Sequence, residues 1–150
     1  LTRARPKIAN YPFTTINPNL GVTYYNNKEV TLADIPGLVE GANKEVGLGD
    51  KFLRHIERCK ILLHLIDITE KNLVENYQKI RSELKNYDLS LFKKKELIFF
   101  NKSDLLEKNV LKEKVSKFKS QIKQKHRIIS IFKRDDIQSI KKVLISNVNK

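Results

Sequence analysis

Cysteine is almost missing from this chain. Its one cysteine, Cys59, excludes an intrachain disulfide framework and fits a reducing compartment, so a cytoplasmic location is expected. A lone thiol of this kind reads as a small packed residue. No apolar run approaches the roughly 20 residues that a membrane-spanning helix needs. Leu1 is not an initiator methionine, and no secretory signal is visible. Neither H-x-x-x-H nor C-x-x-C occurs, which removes the usual zinc spacings. Repeats and low-complexity linkers are absent too, so one domain is expected.

What remains is a soluble globular composition over 150 residues, 40% apolar and 31% charged, long enough for a real core. Acidic residues are scarce: 17 stand against 30 Lys and Arg, giving a net charge of +13. A basic surface attracts nucleic acid through phosphate contacts and counterion release. A coding bias toward Lys, in a chain also rich in Asn and Ile, produces the same balance. Both readings stay open.

Gly21 to Tyr25 and Glu29 to Ala33 read as two strands joined by a turn at Asn26-Asn27. Asp50 to Lys60 reads as a helix with Phe52, Leu53 and Ile56 on one face. Ile61 to Ile66 is an unalternating apolar run ending at Asp67, which suits a strand buried on both faces of a parallel sheet. Asn72 to Asn86 is an amphipathic helix. Leu97 to Phe100 is the next buried strand, Val110 to Lys125 a highly charged helix, and Arg127 to Ser130 a short strand. Asp136 to Asn149 closes the chain as a helix, with Ile137, Ile140, Val143 and Leu144 at helical spacing. Strands alternating with helices predict an α/β fold with a mostly parallel sheet. His55 and His64 read as structural.

In open α/β sheets, ligands bind beyond the carboxyl ends of strands. Asn101-Lys102-Ser103-Asp104 leaves the strand ending at Phe100. An N-K-x-D tetrad there is a guanine-reading signature. Its Asp carboxylate accepts hydrogen bonds from the ring N–H and the exocyclic amine of guanine. Adenine cannot satisfy that geometry. Asp34-Ile35-Pro36-Gly37 has the D-x-x-G form, in which Asp holds Mg²⁺ and the Gly N–H meets the γ-phosphate. Glycine is required because a Cβ would obstruct the approach to the phosphate. Taken singly, the same residues describe a turn with φ fixed by Pro36. Thr15 in Tyr11-Pro12-Phe13-Thr14-Thr15 could complete a Mg²⁺ shell. Ser130 ends the last strand, where backbone N–H groups can face the guanine O6.

The order of these segments is the order a GTPase needs. Pro6 to Thr15 and Pro18 to Val22 resemble the switch I region of the Obg family of GTPases. Asp34 to Ala42 resembles its switch II, and Gly47 to Arg58 the helix that follows. The likeness is dense from Arg5 to Asp67, and beyond that rests mainly on Asn101 to Asp104. It implies a P-loop NTPase-like, Ras-like G domain. It implies GTP or GDP and Mg²⁺ as ligands, and the large ribosomal subunit or its RNA as partner. Phe13, Thr14, Thr15, Ile16 and Asn17 would line the nucleotide. Asp34, Ile35, Pro36 and Gly37 would sit at the phosphates, with Thr15 and Asp34 on the metal. Asn101, Lys102, Ser103 and Asp104 would hold the guanine, and Ser130, Ile131 and Phe132 would make the final base contact. Ile131 stands where a small Ala is usual, so its side chain is expected to crowd that loop. Leu38 follows Gly37 where Ras-like enzymes place the water-positioning Gln, which implies slow intrinsic hydrolysis.

The first glycine is Gly21, so these residues contain no G-x-x-x-x-G-K-[ST] loop. The resemblance places that loop, and the first strand of the fold, before Leu1. The expectation is therefore a G domain truncated at its N-terminus, with a gap between the strands ending at Asp34 and Asp67. Such a domain would be marginally stable, or would need the missing piece in trans. It is not expected to hydrolyse GTP alone. The competing expectations are a non-enzymatic remnant that binds ribosome or RNA through Lys-rich surfaces, and a degraded gene product.

Overall fold

Val30 and Leu32 alternate with polar residues along the second of two short strand-like segments, and two asparagines separate the segments. That pattern makes a hairpin. The computed structural model describes residues 20–34 and 59–148. In it, β1 (Leu20–Tyr25) and β2 (Lys28–Ala33) pair antiparallel, with Thr23 opposite Val30. Asn26 and Asn27 turn the chain at φ 49° and 57°. This left-handed pair matches the twist of a two-residue hairpin, and Asn tolerates it better than most residues.

The second sheet is parallel, in the order β3 (Ile61–Asp67), β4 (Lys95–Asn101), β5 (His126–Ile128). Leu63 lies opposite Leu97, and Phe100 opposite Ile128. Helix α1 (Leu73–Tyr87), the single turn α2 (Leu89–Phe92), α3 (Lys108–Gln121) and α4 (Arg134–Val148) connect and flank these strands. Burial on both faces explains the β4 run, whereas β3 is less enclosed than its sequence suggests, with Leu65 48% exposed. Ile66, Ile98 and Phe100 pack on one face against Leu73 and Tyr77 of α1 and Phe118 of α3. Phe99, with Leu63 and Leu97, packs on the other face against Ile140, Val143 and Leu144 of α4. Phe100 and Phe118 meet edge to face at 4.8 Å, a geometry that adds to their area burial.

The hairpin stands apart from the parallel sheet. Strands β2 and β3 share no ladder; instead Leu32 of β2 packs into the cluster under α4. The strands ending at Asp34 and Asp67 thus do not close on one another. Several boundaries differ from the sequence reading; the last strand, read as Arg127 to Ser130, runs His126–Ile128 and leaves Ser130 in the loop beyond it. Helix α3 runs from Lys108 to Gln121 rather than from Val110 to Lys125, because Ile122 turns extended to pack on the core beside Phe118. Turn α2 was not expected; the Asp88 carboxylate caps it by accepting from the Ser90 N–H. The helix read as Asp50 to Lys60 lies outside the described residues except for Cys59 and Lys60, which are not helical. Cys59 is half-buried, and burial pushes its thiol pKa up.

His64 is structural, as read. Its Nδ1 sits 2.9 Å from a Glu96 carboxylate oxygen, and the Tyr77 hydroxyl donates to the other oxygen at 2.8 Å. Burial favours protonation of Glu96, but these two bonds and the nearby Arg81 charge outweigh it and lower the pKa.

Candidate functional site

Strands β4 and β5 end side by side, so the segments leaving them are neighbours by topology. The backbone stitches them together. Ile129 N–H donates to Phe100 O at 2.8 Å, and Ser103 N–H to Ile129 O at 3.2 Å. The Asn101 side chain then reaches across, its Oδ1 accepting from the Ile131 N–H at 3.2 Å. Ser130 is fully buried. Its N–H donates to the Asp136 carboxylate at 2.8 Å, and its Oγ accepts from the Phe132 N–H at 3.2 Å. The tetrad and the Ser130 loop therefore form one cross-tied unit.

Lys102 occupies the left-handed region at φ 63°, which is costly for a residue with a Cβ. Its ammonium pairs with Asp67 at 2.5 Å. The remaining Asp67 oxygen accepts from Thr69 N–H at 2.9 Å and Thr69 Oγ at 2.7 Å. Desolvation pushes the Asp67 pKa up, but the Lys102 and Thr69 bonds prevail and bring it down to about 2. The same pairing raises the Lys102 pKa. Asp104 lies in the single 3-10 turn Ser103–Leu105. It is exposed, and its carboxylate meets no hydrogen-bond or ion-pair partner among the described residues. Ile131 and Phe132 are exposed by 50% and 82%. The Ile131 side chain thus leans into solvent, and the loop keeps its bond to Asn101.

The structure therefore brings together Asn101, Lys102, Ser103, Asp104, Ser130, Ile131 and Phe132. Asp34 follows the last residue of β2 and is exposed. Phe13, Thr14, Thr15, Ile16, Asn17, Ile35, Pro36 and Gly37 lie outside the described residues. Sequence reasoning assigned no role to Asp67, Thr69 or Asp136. Asp67 carried one usable signal, its place at the carboxyl end of a buried strand.

The family of 50S ribosome-binding GTPases matches residues 1–102, about two thirds of the chain. Among curated relatives, the GTPase Obg of Pelagibacter ubique is 52% identical over 149 residues, covering 99% of this chain and 46% of the relative. The GTPase Obg of Orientia tsutsugamushi is 47% identical over the whole chain and 46% of its own length. That of Ehrlichia ruminantium is 48% identical over 99% of this chain and 43% of the relative. The chain belongs to the Obg family of GTPases. It spans a little under half the length of these Obg relatives. The parallel sheet and its flanking helices are the fold expected for an Obg G domain. Within that Obg fold, the tetrad sits at the carboxyl end of β4, where open α/β sheets present ligands.

Proposed function

We propose that this chain is the guanine-reading part of an Obg-type GTP-binding protein, its residues belonging to a G domain. One observation carries the proposal. The loops after β4 and β5 are tied into one frame, while the Asp104 carboxylate at its rim meets no partner among the described residues. A bidentate acceptor held that way suits the N1–H and amino group of guanine. Adenine lacks that donor pair, which supplies the discrimination. Asn101 and Lys102 hold the frame, and the Ser130 loop, with Ile131 and Phe132, flanks the base.

Mg²⁺ and the phosphates belong to the other side of the site. Asp34, exposed at the end of β2, offers one hard oxygen ligand, and Thr15 would offer a second. That donor set suits Mg²⁺, which keeps several waters and takes its other ligands from phosphates. When bound, the ion neutralises charge on the phosphates. The Gly37 N–H would meet the γ-phosphate, with Phe13 to Asn17 and Ile35 to Pro36 around it.

The partner proposed is the large ribosomal subunit, in the cytoplasm, with GTP hydrolysis coupled to its assembly. The family likeness supports this, and so does the charge distribution. Between Lys108 and Arg127, eight Lys and Arg residues face the single acid Glu113, which concentrates more than half of the chain's net charge in α3, the loop to β5 and Arg127 of β5. The α1 and α4 segments are close to balanced. That asymmetry also favours a second reading, a non-enzymatic chain that contacts RNA through the same segment. Among the described residues no helix is long and apolar enough to cross a membrane.

Titration with GDP and ADP, followed by NMR amide shifts, tests the proposal. Saturable shifts at Asn101, Lys102 and Asp104 with GDP but not ADP are expected. Asp104→Ala should weaken GDP about tenfold or more, the scale of charge-assisted hydrogen bonds. Equal response to the two nucleotides would leave the second reading in possession.

A further inference from the structure

Lys114 lies on α3, away from the tetrad in sequence, yet it is the most fully engaged lysine described. Its ammonium donates to three consecutive carbonyls: Ile68 O at 3.0 Å, Thr69 O at 3.0 Å and Glu70 O at 2.6 Å. An ammonium carries three N–H donors and no acceptor, so all three are spent on one loop. Three successive carbonyls turned toward one point repel each other unless a cation lies between them. Lys114 therefore fixes the path of residues 68–70, and the half-buried side chain is committed to that task.

This loop is the other side of the tetrad's support. Asp67 precedes it, and Thr69 within it supplies two donors to the Asp67 carboxylate. Glu70 N–H closes the turn onto Asp67 O at 3.3 Å, and Ile68 N–H donates to Asn101 O at 3.1 Å. Asp67 in turn holds Lys102 in its left-handed conformation. A continuous chain of polar contacts thus runs from Lys114 through the loop to both Asn101 and Lys102. We propose that Lys114 is a positioning residue for guanine recognition, acting through the 68–70 loop and Asp67 on the backbone that presents Asn101, Lys102 and Asp104. The inference rests on the guanine-binding reading above. It adds a residue that never touches the nucleotide.

The test is a double-mutant cycle on GDP affinity, read by NMR titration of the 150-residue chain. Lys114→Met keeps the length and apolar stem of the side chain and removes the donors. It should weaken GDP about fivefold, the scale of one net hydrogen bond. Asp67→Asn should weaken it similarly. Because the two act through one path, the double variant should be little weaker than either single one. A merely structural role for Lys114 would lower the melting temperature yet leave the two losses multiplicative. Either multiplicative losses, or an unchanged GDP affinity in folded Lys114→Met, overturns the inference. Should Lys114→Met not fold, Thr69→Val interrupts the same path without touching α3. An unchanged GDP affinity in Thr69→Val and Asp67→Asn then overturns it. Absence of any GDP-dependent shift in the unmodified chain is a different failure: it removes the guanine reading itself.

Discussion

Asp67 shows how much a single carboxylate can hold. It accepts two bonds from Thr69 and pairs with Lys102, and its pKa falls to about 2. A group whose pKa is depressed by folding adds stability above its unfolded value and loses it as pH falls through the folded one. The unfolded value is 3.8, so the window lies between about pH 4 and pH 2. Asp67→Asn should therefore be less stable than the unmodified chain at pH 6, and the gap should close as pH falls to about 2. Urea midpoints across that range measure it. A gap that stays constant would mean that the ion pair contributes nothing to stability.

At the scale of elements, much was legible because local and global preferences agree. Leu97 to Phe100 reads as a strand buried on both faces, and Phe99 and Phe100 do point into opposite clusters; Ile61 to Ile66 reads the same way, but its Leu65 is 48% exposed. The tetrad's place after β4 was likewise readable, since N-K-x-D ends an apolar run. What the sequence did not reveal is side-chain traffic between distant segments. Lys114, one of many lysines, has no local mark that sets it apart; only the path of the 68–70 loop gives it three carbonyls. The end of α3 was hidden for a similar reason: Ile122 leaves the helix to satisfy the core, not a local stop signal.

The hairpin offers the clearest element-level prediction. Asn26 and Asn27 both hold positive φ, which costs most L-residues about 1–2 kcal/mol. Asn27→Ala should lower stability by about 1 kcal/mol, while Asn27→Gly should leave it unchanged or slightly raised. The comparison isolates backbone conformation, because Asn27 is exposed and packs into neither core. Equal denaturation midpoints for the Ala and Gly variants would show that the turn conformation is not what fixes the register of β1 on β2.

At the scale of the whole molecule, a GTP site divides its work between reading the base and handling the phosphates. Under the guanine-binding proposal, base recognition needs a carboxylate and a rigid frame, which residues 101–104 and 130–132 would supply. Hydrolysis needs more. The γ-phosphate must be held in line with an attacking water, and its developing charge neutralised by a lysine, backbone amides and Mg²⁺. The G-x-x-x-x-G-K-[ST] loop that supplies the lysine and amides does not occur in these 150 residues, and Leu38 cannot orient a water as Gln does. Without the phosphate contacts, guanine contacts alone would give affinity on the order of millimolar. The 150-residue polypeptide should accordingly bind GDP weakly and release no phosphate from GTP above the uncatalysed background. A phosphate-release assay at millimolar GTP and Mg²⁺ decides the matter. Turnover that Asp34→Ala abolishes would show that the switch residues can assemble a phosphate site without a P-loop. Turnover unaffected by Asp34→Ala would point to a contaminating enzyme.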